Sequence, residues 1–540
     1  MSKFFKFPVS KITLLIIYTV FGLCVYNLNF WTNLHIIEPN WPVFFKLAIV
    51  ISFLGLLLGY TFFLIFSLQK HLFKTILIIF TLINSLAAYF LNTYNVYLDK
   101  GMIENVLATN TQEALNLFNW WLLGYFIFLG VIPSILIYKC KIKEVKITKH
   151  FLKSILIFVL LFLLALGNLY IFSKEAITFA RVNKELFNKQ VPYSYIKNTI
   201  KYFKAKIKEE FIPVEQIDIK AKYNHERTPG QKGKIMVMVI GETARYNNFS
   251  LYGYERETNP LLKKEDLFVF TPKASCGTST AVSLPCIFYP LGVSEFQNNK
   301  KNIKSYLHYL KDLKNLKIVW YDNNFGGCYE NCTDIENYKT QTFKDVNNCK
   351  DGECVDGVFL SYFDKYIKES NEDLLLVFHQ NGSHGPLYYK RYPGEFEKFT
   401  PTCKTSKPQN CTQSELINTY DNTILYNDFI LSRLIGVLKN HKEIDSSLIY
   451  TSDHGESLGE YGIYLHGLPY GMAPDFQKNV PLLLWLSDKT KSRYNLKCIA
   501  DKTKTKEQTH DEMVNSMFGF FNIGTAYYKP DHDIFANCLN

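Results

Sequence analysis

The chain has 540 residues, enough for more than one domain, and a net charge of +11. Its lysines are scattered and no RNA- or DNA-binding motif accompanies them, so the basic balance does not point to nucleic acid. The 48% hydrophobic content is spread unevenly: the first third is mostly apolar and the remainder reads as soluble.

Five apolar stretches, near residues 12–36, 43–66, 72–93, 119–138 and 151–172, are each long enough to cross a hydrocarbon core of about 30 Å. They run well beyond the single short apolar region of a cleaved signal peptide. Basic residues sit in alternate connections: Lys3 and Lys6 at the start, Lys70 and Lys74 between the second and third stretches, and KCKIKEVKITKH between the fourth and fifth. With those loops in the cytoplasm, five crossings place everything after residue 175 outside the cytoplasmic membrane. The spans lack the internal charged pairs expected of a transporter.

Cysteine usage gives an independent reading of that topology. Cys24 lies within a span and Cys140 in a predicted cytoplasmic loop; the other ten of the twelve follow the last span. Eight of them are close neighbours: Cys276 and Cys286, Cys328 and Cys332, Cys349 and Cys354, Cys403 and Cys411. Cys498 and Cys538 remain as a distant pair. An even set confined to the exported portion predicts disulfides in an oxidising compartment. The CxxC pairs of a thiolate zinc site are absent.

Residues 176–230 read as a connector of surface-lying helices, in which EAITFARVNKELFNKQ and SYIKNTIKYFKAKIKEEF mix apolar and charged residues at near-helical spacing. The turn-rich TPGQKGK closes it. The expected domains are therefore 1–175 in the membrane, 176–230 bridging, and 231–540 catalytic and soluble.

In the soluble part, short apolar runs repeatedly end in polar clusters: KIMVMVI before GETAR, LKIVWY before DNN, DLLLVFHQ before NGSHGP and SLIYT before SDHGES. Helical segments separate them. This pattern predicts an α/β fold with a mainly parallel sheet covered on both faces, whose functional groups gather beyond the carboxyl ends of the strands. Glu242 follows the first strand, and Asp453 and His454 follow the last. Oxygen ligands with one imidazole suit zinc and leave a position for substrate. The stretch SCGTSTAVSLPC (275–286) supplies Thr278, Ser279 and Thr280 at the expected start of a helix, where backbone N–H groups favour phosphate oxygens. A neighbouring divalent metal would turn one of these hydroxyls into a usable nucleophile; the residues alone do not choose among the three.

GETAR (241–245), SCGTSTAVSLPC, SHGPLYYKRYP (383–393) and SDHGESLGE (452–460) together resemble the bacterial phosphoethanolamine transferases, whose members decorate lipid A and confer resistance to polymyxin and other cationic peptides. The resemblance covers essentially the whole chain. It implies a five-span membrane domain followed by an alkaline-phosphatase-like α/β/α domain at the periplasmic face of the inner membrane. It makes Thr280 the nucleophile, and Glu242, Asp453 and His454, with the Thr280 oxygen, the ligands of a zinc ion. It assigns His384 and His466 to substrate phosphate or to a second zinc, and Asn105, Thr109 and Glu113, spaced four apart as on one helical face, to the phosphoethanolamine site. The implied reaction takes phosphoethanolamine from phosphatidylethanolamine, through a covalent threonine intermediate, to lipid A or lipooligosaccharide, with the enzyme a monomer. The resemblance departs after WYDNN, where FGGCYENC replaces a serine and a lysine found in some relatives. The competing readings are a phosphoglycerol transferase of the lipoteichoic-acid synthase type and a non-catalytic membrane-anchored sensor.

Overall fold

The computed structural model describes residues 8–540 apart from 50–51, 53, 67–69, 110, 144–145, 172–178, 180–182, 212–213, 216, 226–231, 325–326, 343–344, 351–352, 370–371 and 505–507. The chain divides into two compact units, Met1–Ile103 with Phe118–Phe203, and Glu104–Leu117 with Lys204–Asn540.

In the first unit, three helices are long and apolar enough to cross a membrane: Lys70–Tyr94, Trp120–Lys139 and Ile147–Asn168. A fourth candidate is a pair, Lys11–Tyr26 and Leu28–Ile37, bent by 62°. The bend has a local cause. The Asn27 amide donates to the carbonyls of Gly22 and Val191 at 3.0 and 2.9 Å and accepts from the Val191 N–H at 2.8 Å, so a side chain breaks into the helical ladder. The stretch expected to span at 43–66 is described as two shorter helices, Trp41–Ala48 and Leu54–Phe66, with residues 50, 51 and 53 between them outside the described residues. The described helices thus supply three spans, or four counting the bent pair, rather than five.

The second unit is built on a seven-stranded sheet. Its strands are β1 (Ile235–Gly241), β2 (Leu267–Val269), β3 (Leu316–Asp322), β4 (Glu336–Lys339), β5 (Asp373–His379), β6 (Ser446–Ser452) and β7 (Leu482–Leu486), in the order β2-β7-β6-β1-β5-β3-β4. The five strands from β6 to β4 are parallel, and β7 runs antiparallel between β6 and β2. The apolar runs read from the sequence are the central strands. Because side chains alternate across a strand, Ile235, Val237 and Val239 of β1 enter one core while Met236, Met238 and Ile240 enter the other. Both faces are covered, which is why these strands carry unbroken apolar sequence.

Register brings the strand ends together. Gly241 lies opposite Ser452, and Ile240 and Asp322 both lie opposite His379, so Glu242, Asp453, Gln380 and Asn323 emerge at one edge. Beneath them runs the helix Gln413–Lys439, opened by a capping box in which Thr412 and Glu415 satisfy each other's backbone N–H groups. Leu376 lies fully buried at the middle of β5. Leu376→Ala is expected to cost about 2–5 kcal/mol, read as a lower melting temperature of the detergent-solubilised protein.

Candidate functional site

The four residues singled out at strand ends and in the hydroxyl cluster converge within the second unit. Thr280 is the first residue of the helix Thr280–Ile287, which follows the extended Ser279 and is closed into a loop by the Cys276–Cys286 disulfide. Its hydroxyl donates to Glu242 Oε2 at 3.0 Å and lies 3.4 Å from His454 Nε2. Thr278, by contrast, donates to the Leu468 carbonyl, and Ser279, although it lines the same cavity as Thr280, makes no side-chain hydrogen bond to Glu242, Asp453 or His454 among the described residues. The geometry therefore separates three hydroxyls that the sequence alone leaves equivalent.

The hydrogen bonds around this cluster leave one acceptor atom unclaimed on each of three groups. Glu242 Oε2 accepts from Thr280 and, at 2.6 Å, from the Asn324 amide. Asp453 Oδ1 accepts the backbone N–H groups of His454 at 2.7 Å and Thr243 at 3.2 Å. His454 Nδ1 lies 2.9 Å from the Gly455 carbonyl, and since a carbonyl only accepts, Nδ1 carries the proton. What remains is Glu242 Oε1, Asp453 Oδ2 and His454 Nε2. The two carboxylate oxygens accept no hydrogen bond among the described residues, and they lie 3.5 and 3.3 Å from Nε2. All three residues are fully buried, and these atoms lie within 4.8 Å of one another. Such a set can be satisfied by a proton or by a cation, and its two carboxylates and imidazole are the donors a zinc ion takes.

The electrostatics agree. Burial, and then the charge of Asp453, hold the Glu242 carboxyl well above the usual range, and burial raises Asp453 as well. Burial, and then neighbouring His466, push the His454 imidazole well below its ordinary value, so it stays neutral and able to ligate. A dication would relieve both carboxylates at once.

A second set shares Glu242. Ligand atoms of Glu242, His384 and His466 also lie within 4.8 Å of one another. His466 Nδ1 donates to the buried Glu456 carboxylate at 2.7 Å, and its ring lies 4.4 Å from that of His454 and 5.5 Å from that of His384, centre to centre. His384 is likewise held well below the usual imidazole range by burial and then by His466. The two histidines border a cavity of about 50 Å³ together with Thr280, Asn324, Tyr329, Asn105 and Thr109.

The expectation of one continuous helical face through Asn105, Thr109 and Glu113 does not hold. The first helix ends at Ala108, Thr109 turns its hydroxyl back onto the Asn105 carbonyl at 2.8 Å, and a new helix starts at Thr111. Residue 110, between the two helices, lies outside the described residues. Asn105 and Thr109 both line the cavity; the side chain of Glu113 lies outside the described residues.

Each cysteine pair expected from the sequence is joined. Besides Cys276–Cys286, the structure contains the short-range disulfides Cys328–Cys332, Cys349–Cys354 and Cys403–Cys411. The distant pair Cys498–Cys538 is bonded as well, and Cys24 and Cys140 are free. Two of the short loops sit close to site residues. Cys328 and Cys332 bracket Tyr329, which lines the cavity, and the Cys354 carbonyl accepts from the Asn323 amide at 3.1 Å. Cys411 lies directly before Thr412, the cap of the helix Gln413–Lys439, so its bond to Cys403 tethers the start of that helix.

Several residues that hold the site were not singled out from the sequence. Asn324 bridges Glu242 and, at 3.2 Å, the Gln380 carbonyl. Asp356 accepts the N–H groups of Asn381 and Gly382, fixing the loop that carries His384, while Arg391 donates to the His384 carbonyl at 2.9 Å. Gly382 has φ +50°, and a Cβ there would lie 2.7 Å from the Glu242 carbonyl oxygen, so the close approach needs glycine. The helix Gln413–Lys439 contributes Tyr420, which donates to the Thr243 carbonyl at 2.6 Å, and Thr423, whose hydroxyl is hydrogen-bonded to that of Ser383 at 2.7 Å. The signal for that role was available: Asn418, Thr419, Asp421, Asn422, Thr423, Asn427 and Asp428 are polar residues on a helix that turns out to be buried.

Comparison with known proteins gives this geometry a family. The description "Phosphoethanolamine transferase EptA/EptB" matches residues 56–207, and "Sulfatase" matches residues 234–523. Phosphoethanolamine transferase EptA of Salmonella typhimurium is 36% identical, over 85% of this chain and 84% of its own length. Phosphatidylethanolamine transferase Mcr-1 of Escherichia coli is 31% identical over 99% of each chain. The solved structure of the integral membrane protein lipooligosaccharide phosphoethanolamine transferase A from Neisseria meningitidis superposes with a TM-score of 0.92 at 30% identity, covering 98% of this chain and 99% of that one. The phosphoglycerol-transferase and sensor readings fall away: with apolar membrane helices and a sulfatase-type parallel sheet, the chain belongs to the phosphoethanolamine transferase family and is an enzyme of that class.

Proposed function

We propose that this enzyme moves phosphoethanolamine from phosphatidylethanolamine to lipid A or lipooligosaccharide, with Thr280 as nucleophile and zinc as cofactor. The observation that carries the reading is the convergence of three unclaimed acceptor atoms, on Glu242, Asp453 and His454, around the Thr280 hydroxyl. A zinc ion held there supplies positive charge that acidifies the hydroxyl and stabilises phosphoryl oxygens. A second zinc or the substrate phosphate would be taken by Glu242, His384 and His466.

The chain's own groups then account for both half-reactions. Thr280 Oγ1 gives up its proton along the hydrogen bond to Glu242 and forms a bond to the donor phosphorus. The bond from phosphorus to the diacylglycerol oxygen breaks, and that oxygen takes up one proton, so the first step balances. Phosphoethanolamine now esterifies Thr280. An acceptor hydroxyl oxygen then forms a bond to that phosphorus as the bond to Thr280 Oγ1 breaks; the acceptor's proton passes to Glu242 and from there to Oγ1, which restores the threonine hydroxyl. Asn105, Thr109, His384 and His466, around the same cavity, orient the headgroup. The backbone N–H groups at the start of the Thr280–Ile287 helix favour its phosphate oxygens.

The membrane setting follows the same reading. All ten paired cysteines lie between residues 276 and 538, whereas the free Cys24 and Cys140 precede them. That division, with the basic loops of the N-terminal third, supports an inner-membrane protein whose catalytic unit is periplasmic, where donor and acceptor lipids are both at hand. Adding an ethanolammonium group reduces surface negative charge, so polymyxin and other polycations bind more weakly.

Thr280→Ala is expected to lower transfer by at least about a thousandfold and to remove phosphoethanolamine from lipid A in mass spectra of cells carrying the variant. Unchanged decoration would overturn the assignment. Metal removal gives a separate check. Stripping with a chelator is expected to lower the melting temperature, and zinc at about 100 times its dissociation constant to restore roughly 2.7 kcal/mol. Glu242→Gln is expected to abolish that restoration.

In the stripped chain the Glu242 and Asp453 carboxyls are held above their usual range. They therefore favour the folded state when protonated, and that contribution is lost as pH rises through their folded values. Stripped Glu242→Gln should melt above the stripped parent at pH 7.5, with the gap closing toward pH 4. A parent equally stable with and without zinc would refute the metal site.

A further inference from the structure

The segment 508–512 belongs neither to the ligand set nor to the cavity, yet it grips the nucleophile loop on both sides of Thr280. The Gln508 carbonyl accepts the Ala274 N–H at 3.1 Å, His510 Nδ1 accepts the Cys276 N–H at 3.2 Å, and Asp511 Oδ1 accepts the Val293 N–H at 2.9 Å. The second ring nitrogen of His510 reaches the other half of the site: Nε2 lies 3.0 Å from the Ser452 carbonyl, at the end of β6, immediately before Asp453 and His454. A carbonyl only accepts, so Nε2 carries the proton and Nδ1 offers the lone pair that Cys276 requires. One neutral tautomer satisfies both bonds, and the ring is fully buried.

We propose that His510 is a positioning residue for the transfer reaction, a neutral imidazole strut that sets Thr280 Oγ1 against the lone pairs of Glu242, Asp453 and His454. The inference rests on the reading of Thr280 as nucleophile. A cationic imidazole cannot play the part, because a proton on Nδ1 would face the Cys276 N–H donor to donor. Burial, and then the Lys273 ammonium, hold His510 down to about 4, which keeps it neutral. Lys273 is itself fully buried, 3.4 Å from Glu512, and Glu512 also accepts from His532 Nδ1 at 2.8 Å. Two distant chain segments, one bearing the hydroxyl and one bearing two proposed ligands, thus share a single rigid ring.

The strut is tested on the full-length protein in detergent with His510→Ala, His510→Asn and His510→Gln. His510→Ala is expected to lower kcat about 100-fold with KM unchanged within about twofold, and to weaken zinc binding in a chelator competition about tenfold. The amide variants can each keep one of the two bonds and should fall between parent and alanine in both readouts, which also serves if the alanine variant fails to fold. Parental kcat and zinc affinity in His510→Ala would overturn the proposal. So would a loss of activity that follows the folded fraction alone, with zinc affinity unchanged in the amide variants. Thr280→Ala measured alongside separates the two ideas: an active Thr280→Ala sinks the nucleophile assignment, whereas an inactive one beside fully active His510 variants sinks only the strut.

Discussion

The constraint on which the second unit turns is the burial of two carboxylates, Glu242 and Asp453, side by side, neither of them ion-paired to a lysine or arginine among the described residues. Leaving charge in such a place is costly unless it is paired or bound to a metal. The surrounding structure instead saturates one oxygen of each carboxylate with neutral donors, Asn324 and Thr280 on one side and two backbone N–H groups on the other. The remaining oxygens are aimed at a common point with an imidazole whose tautomer is already fixed. The strain of two like charges is therefore concentrated beside the hydroxyl that the proposed chemistry needs to ionise.

How much of this was legible in the sequence depended on the range of the interaction involved. The central strands were readable because a sheet covered on both faces demands continuous apolar runs, and IMVMVI or LLLVF have few other uses in a soluble domain. Strand-end polarity then located Glu242, Asp453 and His454, since functional groups of a parallel sheet gather beyond the carboxyl ends of its strands. The cysteine pairs were readable from compartment and proximity. What could not be read was anything set by tertiary hydrogen bonding. Asn324 lies in the DNN cluster that ends β3 and His510 in a polar run, but nothing local distinguishes either from its neighbours, and their roles exist only once β1, β3 and β6 are in register. The membrane third was legible in composition but not in geometry: Asn27 in an apolar run looks harmless, yet its side chain bends the first candidate span by replacing ladder bonds. The break after Ala108 was missed for a related reason, because four-residue spacing records where a helix would place side chains, not whether the helix continues.

The disulfides and the buried helix do complementary work around the site. Cys276–Cys286 closes the loop bearing Thr280 over ten residues, which limits the conformations that loop can adopt in the unfolded chain. It does not by itself aim the hydroxyl. Aim comes from bonds made to distant segments: Thr278 to Leu468, Cys276 to His510, and Thr280 to Glu242. On the opposite side of β1, the helix Gln413–Lys439 ties down Thr243 and Ser383 through side chains that a solvated helix would have no reason to bury. A helix with that many interior polar groups is stable only if they are satisfied, and the partners that satisfy several of them are site loops.

The lining of the cavity bears on how a lipid could be used at all. Apart from Ala108 and Ala281 the residues around it are polar, so it suits a polar headgroup and offers acyl chains little to bury against. In the proposed reaction a donor lipid must therefore present its headgroup first, with the diacylglycerol part remaining outside the polar cluster. That arrangement suits the chemistry: the scissile bond lies between the polar headgroup and the apolar remainder of the donor. On that proposal the diacylglycerol part need not enter the polar cluster, and the phosphoethanolamine left on Thr280 would sit beside His384, His466, Asn105 and Thr109 until an acceptor oxygen reaches it.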